Sequence, residues 1–151
     1  ALALVQRGYS LVADDLTFLR RHDDSTIIGA STSVTRYHME IRGLGIVHVP
    51  SLFGVPAVRD EKNLDLIVTL QEMKDLPDRG LGLGPQTRDI LGVPIPHLTI
   101  PVASGRELAT LIETASLNEK LKRLGHDAAK ELDQKMMLVM SKRNLSNERI
   151  D

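Results

Sequence analysis

The stretch Met39-Glu40-Ile41-Arg42-Gly43-Leu44-Gly45-Ile46-Val47-His48 alternates apolar and polar side chains and then breaks on two glycines. On a strand, residues i and i+2 share a face. Glu40 and Arg42 are therefore expected to point together, with Met39 and Ile41 on the other side. The glycines permit a sharp turn or a close approach of backbone to a ligand, and Ile46-Val47 resumes an apolar run. A carboxylate, a guanidinium and open backbone amides suit a metal–phosphate group. An edge-strand ion pair closed by a glycine bulge accounts for the same residues, and the segment alone leaves both readings open.

Working upstream, ALALVQRG at residues 1–8 lies in helical register, and Gly8 reads as the residue that ends a helix. Residues 9–13, YSLVA, are an apolar run suited to a buried strand, and they end on Asp14-Asp15. A strand that delivers carboxylates at its C-terminal end is the Walker B arrangement of nucleotide-binding α/β folds. In strand geometry the two aspartates face opposite ways, which gives each a different job. A β-turn opened by Asp-Asp explains the pair as well. Residues 16–20 alternate, residues 26–30 are apolar, and the polar RHDDS between them reads as a hairpin turn that leaves His22 in solvent. His38 and His48 flank the central segment, and with no third ligand at a usual spacing they make a poor metal site.

Downstream, residues 51–58 read as a loop or short helical turn around Gly54 and Pro56, residues 59–62 as a charged loop and residues 64–70 as a strand. Gly80, Gly82 and Gly84 look like a phosphate cradle, but Pro85 follows and the spacing fails the dinucleotide fingerprint. A loop is expected there, with Arg79 at its edge as a movable cation. Residues 87–91 read as a helical turn, and the proline-punctuated residues 93–102 as an edge strand. From Ser104 the period becomes helical. Leu108, Leu111, Ile112, Ala115, Leu121 and Leu124 mark one stripe, which Gly125 stops. Asp127 can cap a second helix with Ala128, Ala129, Leu132, Met136 and Val139 or Met140 inward.

Composition narrows the classes. The 151 residues suit one domain. Nineteen basic against 20 acidic residues leave a net charge of −1, so no overall basic field points to nucleic acid or an anionic membrane. The chain has no cysteine, which removes disulfides, thiolate metal sites and cysteine nucleophiles. Two Tyr, two Phe and no Trp make base stacking on an aromatic platform unexpected. No apolar run reaches spanning length and no secretory leader is recognisable, so a cytoplasmic protein is expected.

The blocks VADD at residues 12–15, EIRGLGIVHV at 40–49, LFG at 52–54, DR at 78–79 and IPV with GR across 100–106 stand in this order. Together they resemble the C-terminal catalytic domain of the HPr kinase/phosphorylase family, and the resemblance runs to about residue 138. It implies an α/β P-loop-type kinase domain related to phosphoenolpyruvate carboxykinase, with a mixed sheet and C-terminal helices, over residues 1–151. It further implies a bacterial enzyme of the phosphotransferase system that uses ATP and Mg²⁺ to phosphorylate a serine of HPr. The same enzyme would remove that phosphate with inorganic phosphate, giving pyrophosphate, as a homohexamer.

Under the resemblance Asp15 is the general base for the serine hydroxyl and the general acid in reverse, and Asp14 completes the pair. Glu40 holds the magnesium, Arg79 steadies the transferring phosphoryl group, and the Met39 to His48 segment serves both reactions. Pro101, Val102, Ala103, Ser104, Gly105 and Arg106 match the segment associated with dephosphorylation. Two departures stand out. The family's phosphate loop, with its lysine, magnesium-binding serine and upstream histidine, is not in the chain, Ala1 aligning just past it. Ala103-Ser104 also stands where many members carry Arg-Pro, which bears on the strength of dephosphorylation. A catalytically silent HPr-binding and oligomerisation module, and a carboxykinase-like enzyme acting on a small carboxylic acid, are the alternatives.

Overall fold

The structure, a computed structural model, describes residues 1–72, 86–102 and 107–147, with side chains to 141. The chain forms two compact units, Ala1–Glu113 and Thr114–Asp151. In the first, helix α1 (Leu2–Gln6) ends as its sequence predicts. Gly8 takes φ +94°, its amide donates to the Val5 carbonyl at 3.0 Å, and the Tyr9 amide donates to Leu4 at 3.1 Å. These are the paired bonds of a glycine-terminated helix.

Residues 9–13 run on from this helix, but the expected strand shrinks to a single parallel bridge, Leu11 to Val58. The Leu11 amide donates to Ala57 at 2.8 Å and Arg59 donates back to Leu11 at 2.9 Å. A longer ladder is blocked because its neighbour comes straight out of a 3₁₀ turn, Val55–Ala57, and offers one residue in register.

Strands β1 (Phe18–Arg21) and β2 (Ile27–Ala30) form the expected antiparallel hairpin, with His22 exposed and its amide donating to Thr26 at 2.9 Å. The Asp23 carboxylate accepts the Ser25 amide at 2.8 Å within the turn, and that bond holds its carboxyl below the usual range. Strand β5 (Glu61–Asn63) pairs with the other side of β2, so part of the expected charged loop is a strand. Its charged side chains are tolerated because this edge lies in water.

Strands β3 (His38–Ile41) and β4 (Gly45–His48) form a second hairpin, and helix α2 (Val49–Phe53) follows at once. A third sheet has the order β6 (Ile67–Glu72), β8 (Val93–Val102), β7 (Gln86–Ile90). Here two expectations fail. Residues 87–91 are not a helical turn, since all but Leu91 lie in β7. Strand β8 is central rather than at an edge, yet its prolines explain the misreading. β7 pairs with Val93 to His97 and β6 with His97 to Val102, so among the described residues each half of β8 has one neighbour. Pro94 and Pro96 lie in the first half and Pro101 in the second, where a missing N–H can face the unpaired side.

Among the described residues, two apolar clusters hold this unit. Ile27, Val93 and Ile95 form one. Val5, Leu11, Met39, Val49 and Ala57 form the other, which fastens α1, residues 9–13, the β3–β4 hairpin and α2 to a common core. At roughly 1.5–3 kcal/mol for each large aliphatic side chain fully buried, this second cluster fixes the position of the hairpin.

Helix α3 (Leu108–Arg123) ends at Gly125, φ +91°, where the His126 amide donates to the Leu121 carbonyl at 2.9 Å. Helix α4 (Ala128–Asn147) starts at the expected cap, the Lys130 amide donating to the Asp127 carboxylate at 3.2 Å. The inward stripe expected for α4 is not there: Ala128, Ala129, Leu132, Met136, Val139 and Met140 are all exposed. Met136 to Met140 is an unbroken apolar run that passes around the whole helix, so it defines no single face. Among the described residues no helix is long and apolar enough to cross a membrane.

Candidate functional site

The quoted stretch folds back on itself. His38 pairs with His48, Met39 with Val47, Glu40 with Ile46 and Ile41 with Gly45. The reversal is made by Arg42, Gly43 and Leu44, the Leu44 amide donating to Ile41 at 2.9 Å, with Gly43 at φ +84° and Gly45 at φ +95°. Met39 is buried in the core, whereas Glu40, Ile46 and the two histidines are exposed. The expectation that Arg42 shares a strand face with Glu40 is not met, because β3 ends at Ile41 and Arg42 lies in the turn.

The register also decides where the Glu40 amide points. The Val49 amide donates to the Tyr37 carbonyl at 2.8 Å, which makes Tyr37–Val49 a hydrogen-bonded pair. Pairs alternate along an antiparallel ladder, so Glu40 is in a non-hydrogen-bonded pair and its N–H faces away from β4. An edge amide needs a partner, and the Asp14 carboxylate accepts it at 2.9 Å. One bond thus brings together the two carboxylate-bearing segments that the sequence singles out separately. Asp14 is half-buried and engaged; its neighbour Asp15 is exposed. Residues 12–15 form bends rather than a continuous strand, and the two aspartates differ in environment.

Several supports escape a reading of the sequence. The Tyr37 hydroxyl donates to Asp60 at 2.5 Å, which ties the base of the hairpin to the segment before β5. That bond, with burial and the Asp60 charge, raises the pKa of the phenol. Arg7 and Tyr9 both reach Glu113 on α3, at 2.9 and 3.0 Å, and Arg7 also pairs with Glu107. The hydrogen bond to Glu113 raises the pKa of Tyr9. These are long-range pairs with no local signature.

Arg79, Ala103, Ser104, Gly105, Arg106 and the glycines at 80, 82 and 84 lie outside the described residues. Pro101 and Val102 are half-buried at the end of β8, paired with Gln71 and Glu72. A cleft of about 360 Å³ opens beside residues 9–13, lined by Leu4, Val12, Leu19 and Leu64 among others, and by none of Asp14, Asp15 or Glu40. It is an apolar recess, distinct from the carboxylates.

Among the described residues no group of three or more His, Asp or Glu side chains could by itself hold a cation. Magnesium, however, is commonly bound through one or two carboxylates, with water and substrate phosphates completing its shell. The exposed Glu40, next to Asp14, fits that sparser demand. Glu40 on the glycine-turned hairpin, with Asp14 bonded to its backbone amide, gives this mixed α/β chain oxygen donors of the kind that bind magnesium-bound phosphate.

Comparison with known proteins agrees with this class. Residues 1–136 match the HPr Serine kinase C-terminal domain. The chain is 42% identical over 139 residues to an HPr kinase/phosphorylase of Leptospira biflexa, covering 90% of this chain and 43% of that protein. To the protein of the same name in Geobacter sulfurreducens it is 38% identical over 149 residues, covering 98% and 47%. The solved HPr(Ser) kinase/phosphatase of Coxiella burnetii superposes with a TM-score of 0.75 at 36% identity, covering 87% of this chain and 80% of that one. The chain belongs to the HPr serine kinase C-terminal domain family, and it spans about half the length of the curated relatives it matches.

Proposed function

We propose that this chain carries the acid–base half of a bifunctional, cytoplasmic, ATP- and Mg²⁺-dependent kinase and phosphorylase acting on a serine of HPr. The observation that carries the proposal is the hydrogen bond from the Glu40 amide to Asp14, which places the VADD segment against the glycine hairpin. The names of the relatives support the substrate and the two directions. Asp14 is occupied in holding the hairpin edge, and this leaves the exposed Asp15 to exchange a proton with solvent or substrate.

In the forward direction Asp15 takes the proton of the serine hydroxyl as the new O–P bond forms, the bond between the β- and γ-phosphates breaks and ADP leaves. In the reverse direction inorganic phosphate attacks phosphoserine, the serine O–P bond breaks, Asp15 returns the proton to the departing oxygen and pyrophosphate forms. One carboxylate serves both because microscopic reversibility makes the forward base the reverse acid. Glu40 would hold the magnesium, whose charge offsets that of the phosphate oxygens. Arg79 would steady the transferring group, and the segment Pro101 to Arg106 would bind the incoming phosphate. The exposed apolar side chains of α4 would be covered by HPr or by other subunits of a hexamer.

The test is a phosphotransfer assay on the full-length protein with ATP, Mg²⁺ and either HPr or oxaloacetate. Phosphate on a serine of HPr is the expected result. Transfer only with oxaloacetate would favour carboxykinase-like chemistry, and binding of HPr without nucleotide binding would favour a silent module.

A further inference from the structure

His38 and His48, at the two ends of the folded-back stretch, stand directly opposite each other on β3 and β4. Because Tyr37–Val49 is a hydrogen-bonded pair, His38–His48 is a non-hydrogen-bonded one, the closer of the two kinds. Both side chains are exposed, and their ring centres are 5.1 Å apart with the planes at 53°. Imidazole nitrogens about 2.0–2.1 Å from a shared metal set the two ring centres roughly 5 Å apart. The observed spacing admits a shared metal as well as simple ring packing.

The rings are also oriented. His38 Nδ1 lies 2.8 Å from the Arg36 carbonyl oxygen. A carbonyl only accepts, so Nδ1 carries the proton, and in the neutral ring Nε2 keeps its lone pair. His48 Nδ1 lies 2.7 Å from Ser51 Oγ, which can accept a proton from it in the same way. Tyr37 packs edge-on against His48, with centroids 6.5 Å apart. A hydrogen bond at Nδ1 that leaves the other ring nitrogen to the metal is how metal-ligating histidines are commonly held.

We propose that His38 and His48 form a two-histidine site for a borderline divalent transition cation such as Ni²⁺ or Zn²⁺, completed by water. The site is chemically separate from magnesium, which prefers oxygen ligands. Occupancy would join β3 to β4 at the open end of the hairpin and so stiffen the strand that carries Glu40.

The test is Ni²⁺ titration of the full chain by calorimetry, with the imidazole resonances followed by NMR using Zn²⁺. His38→Asn and His48→Asn are each expected to weaken binding by at least about tenfold. The double variant should bind no better than either single one, and millimolar Mg²⁺ should not compete. His22, His97 and His126 serve as internal controls, and circular dichroism checks the fold of each exposed-site variant. Unchanged Ni²⁺ affinity in the double variant would overturn the site. Single variants that each lose half the bound metal at unchanged affinity would show independent histidines and overturn the chelate. Neither readout depends on phosphotransfer, so the site stands or falls apart from the proposed activity.

Discussion

Tyr37 holds φ +68°, a left-handed conformation that costs a non-glycine residue about 1–2 kcal/mol. Its surroundings offset that cost: the carbonyl accepts the Val49 amide, the hydroxyl donates to Asp60 and the ring meets His48. None of this is legible in the sequence, because Tyr37 and Asp60 meet only through the fold. Asp60 stabilises the neutral phenol, so the Tyr37 pKa is raised in the folded chain. That contribution to stability is complete below the unfolded value of about 10 and is lost as pH rises through the folded value. Near-ultraviolet absorbance titration of the folded chain should show both tyrosines ionising above the free value, since Tyr9 is raised as well. Asp60→Asn should return one transition toward the free value, and Tyr37→Phe should remove it. Tyr37 ionising at the free value in the intact fold, told from Tyr9 by its loss in Tyr37→Phe, would contradict the Tyr37–Asp60 bond.

At the level of elements, punctuation by glycine and aspartate was the most readable feature. Gly8, Gly125 and Asp127 mark helix ends as expected, through backbone requirements confined to a few residues. Alternation over residues 16–20 and an apolar run over 26–30 located the β1–β2 hairpin, and alternation marked the Met39 to His48 stretch. Element type was misread where local preference met tertiary pairing. Residues 87–91 show no clear alternation, and β7 is recruited by its neighbour β8. Turn geometry was half legible: the glycines announced a reversal, but only the register shows that Arg42 falls within it. Gly43 has open space where a Cβ would go, so Gly43→Ala tests backbone conformation alone. It should cost about 1–2 kcal/mol, and Gly43→Asn less, read as a shift in urea midpoint at unchanged m-value. A neutral Gly43→Ala would mean that the turn tolerates another conformation.

Across the whole molecule, five short blocks carried the family resemblance, and shared ancestry supplied what pattern alone could not. Pattern named Asp14, Asp15 and Glu40 as candidates without joining them. Their juxtaposition depends on a core built by Val5, Leu11, Met39, Val49 and Ala57, drawn from five separate segments, and on one edge amide finding one carboxylate. The stripe read into α4 failed because an apolar run that passes around the whole helix sets no inward face by itself. The proposed shared role is that one carboxylate, Asp15, with Asp14 engaged by the hairpin, moves the proton in both directions. Its most direct test is Asp15→Asn in the full-length protein, assayed for HPr phosphorylation by ATP and for phosphorolysis of phosphorylated HPr. Both rates should fall together by roughly 10²–10⁴-fold with nucleotide affinity nearly unchanged, whereas loss in one direction only, or in neither, would contradict the shared role.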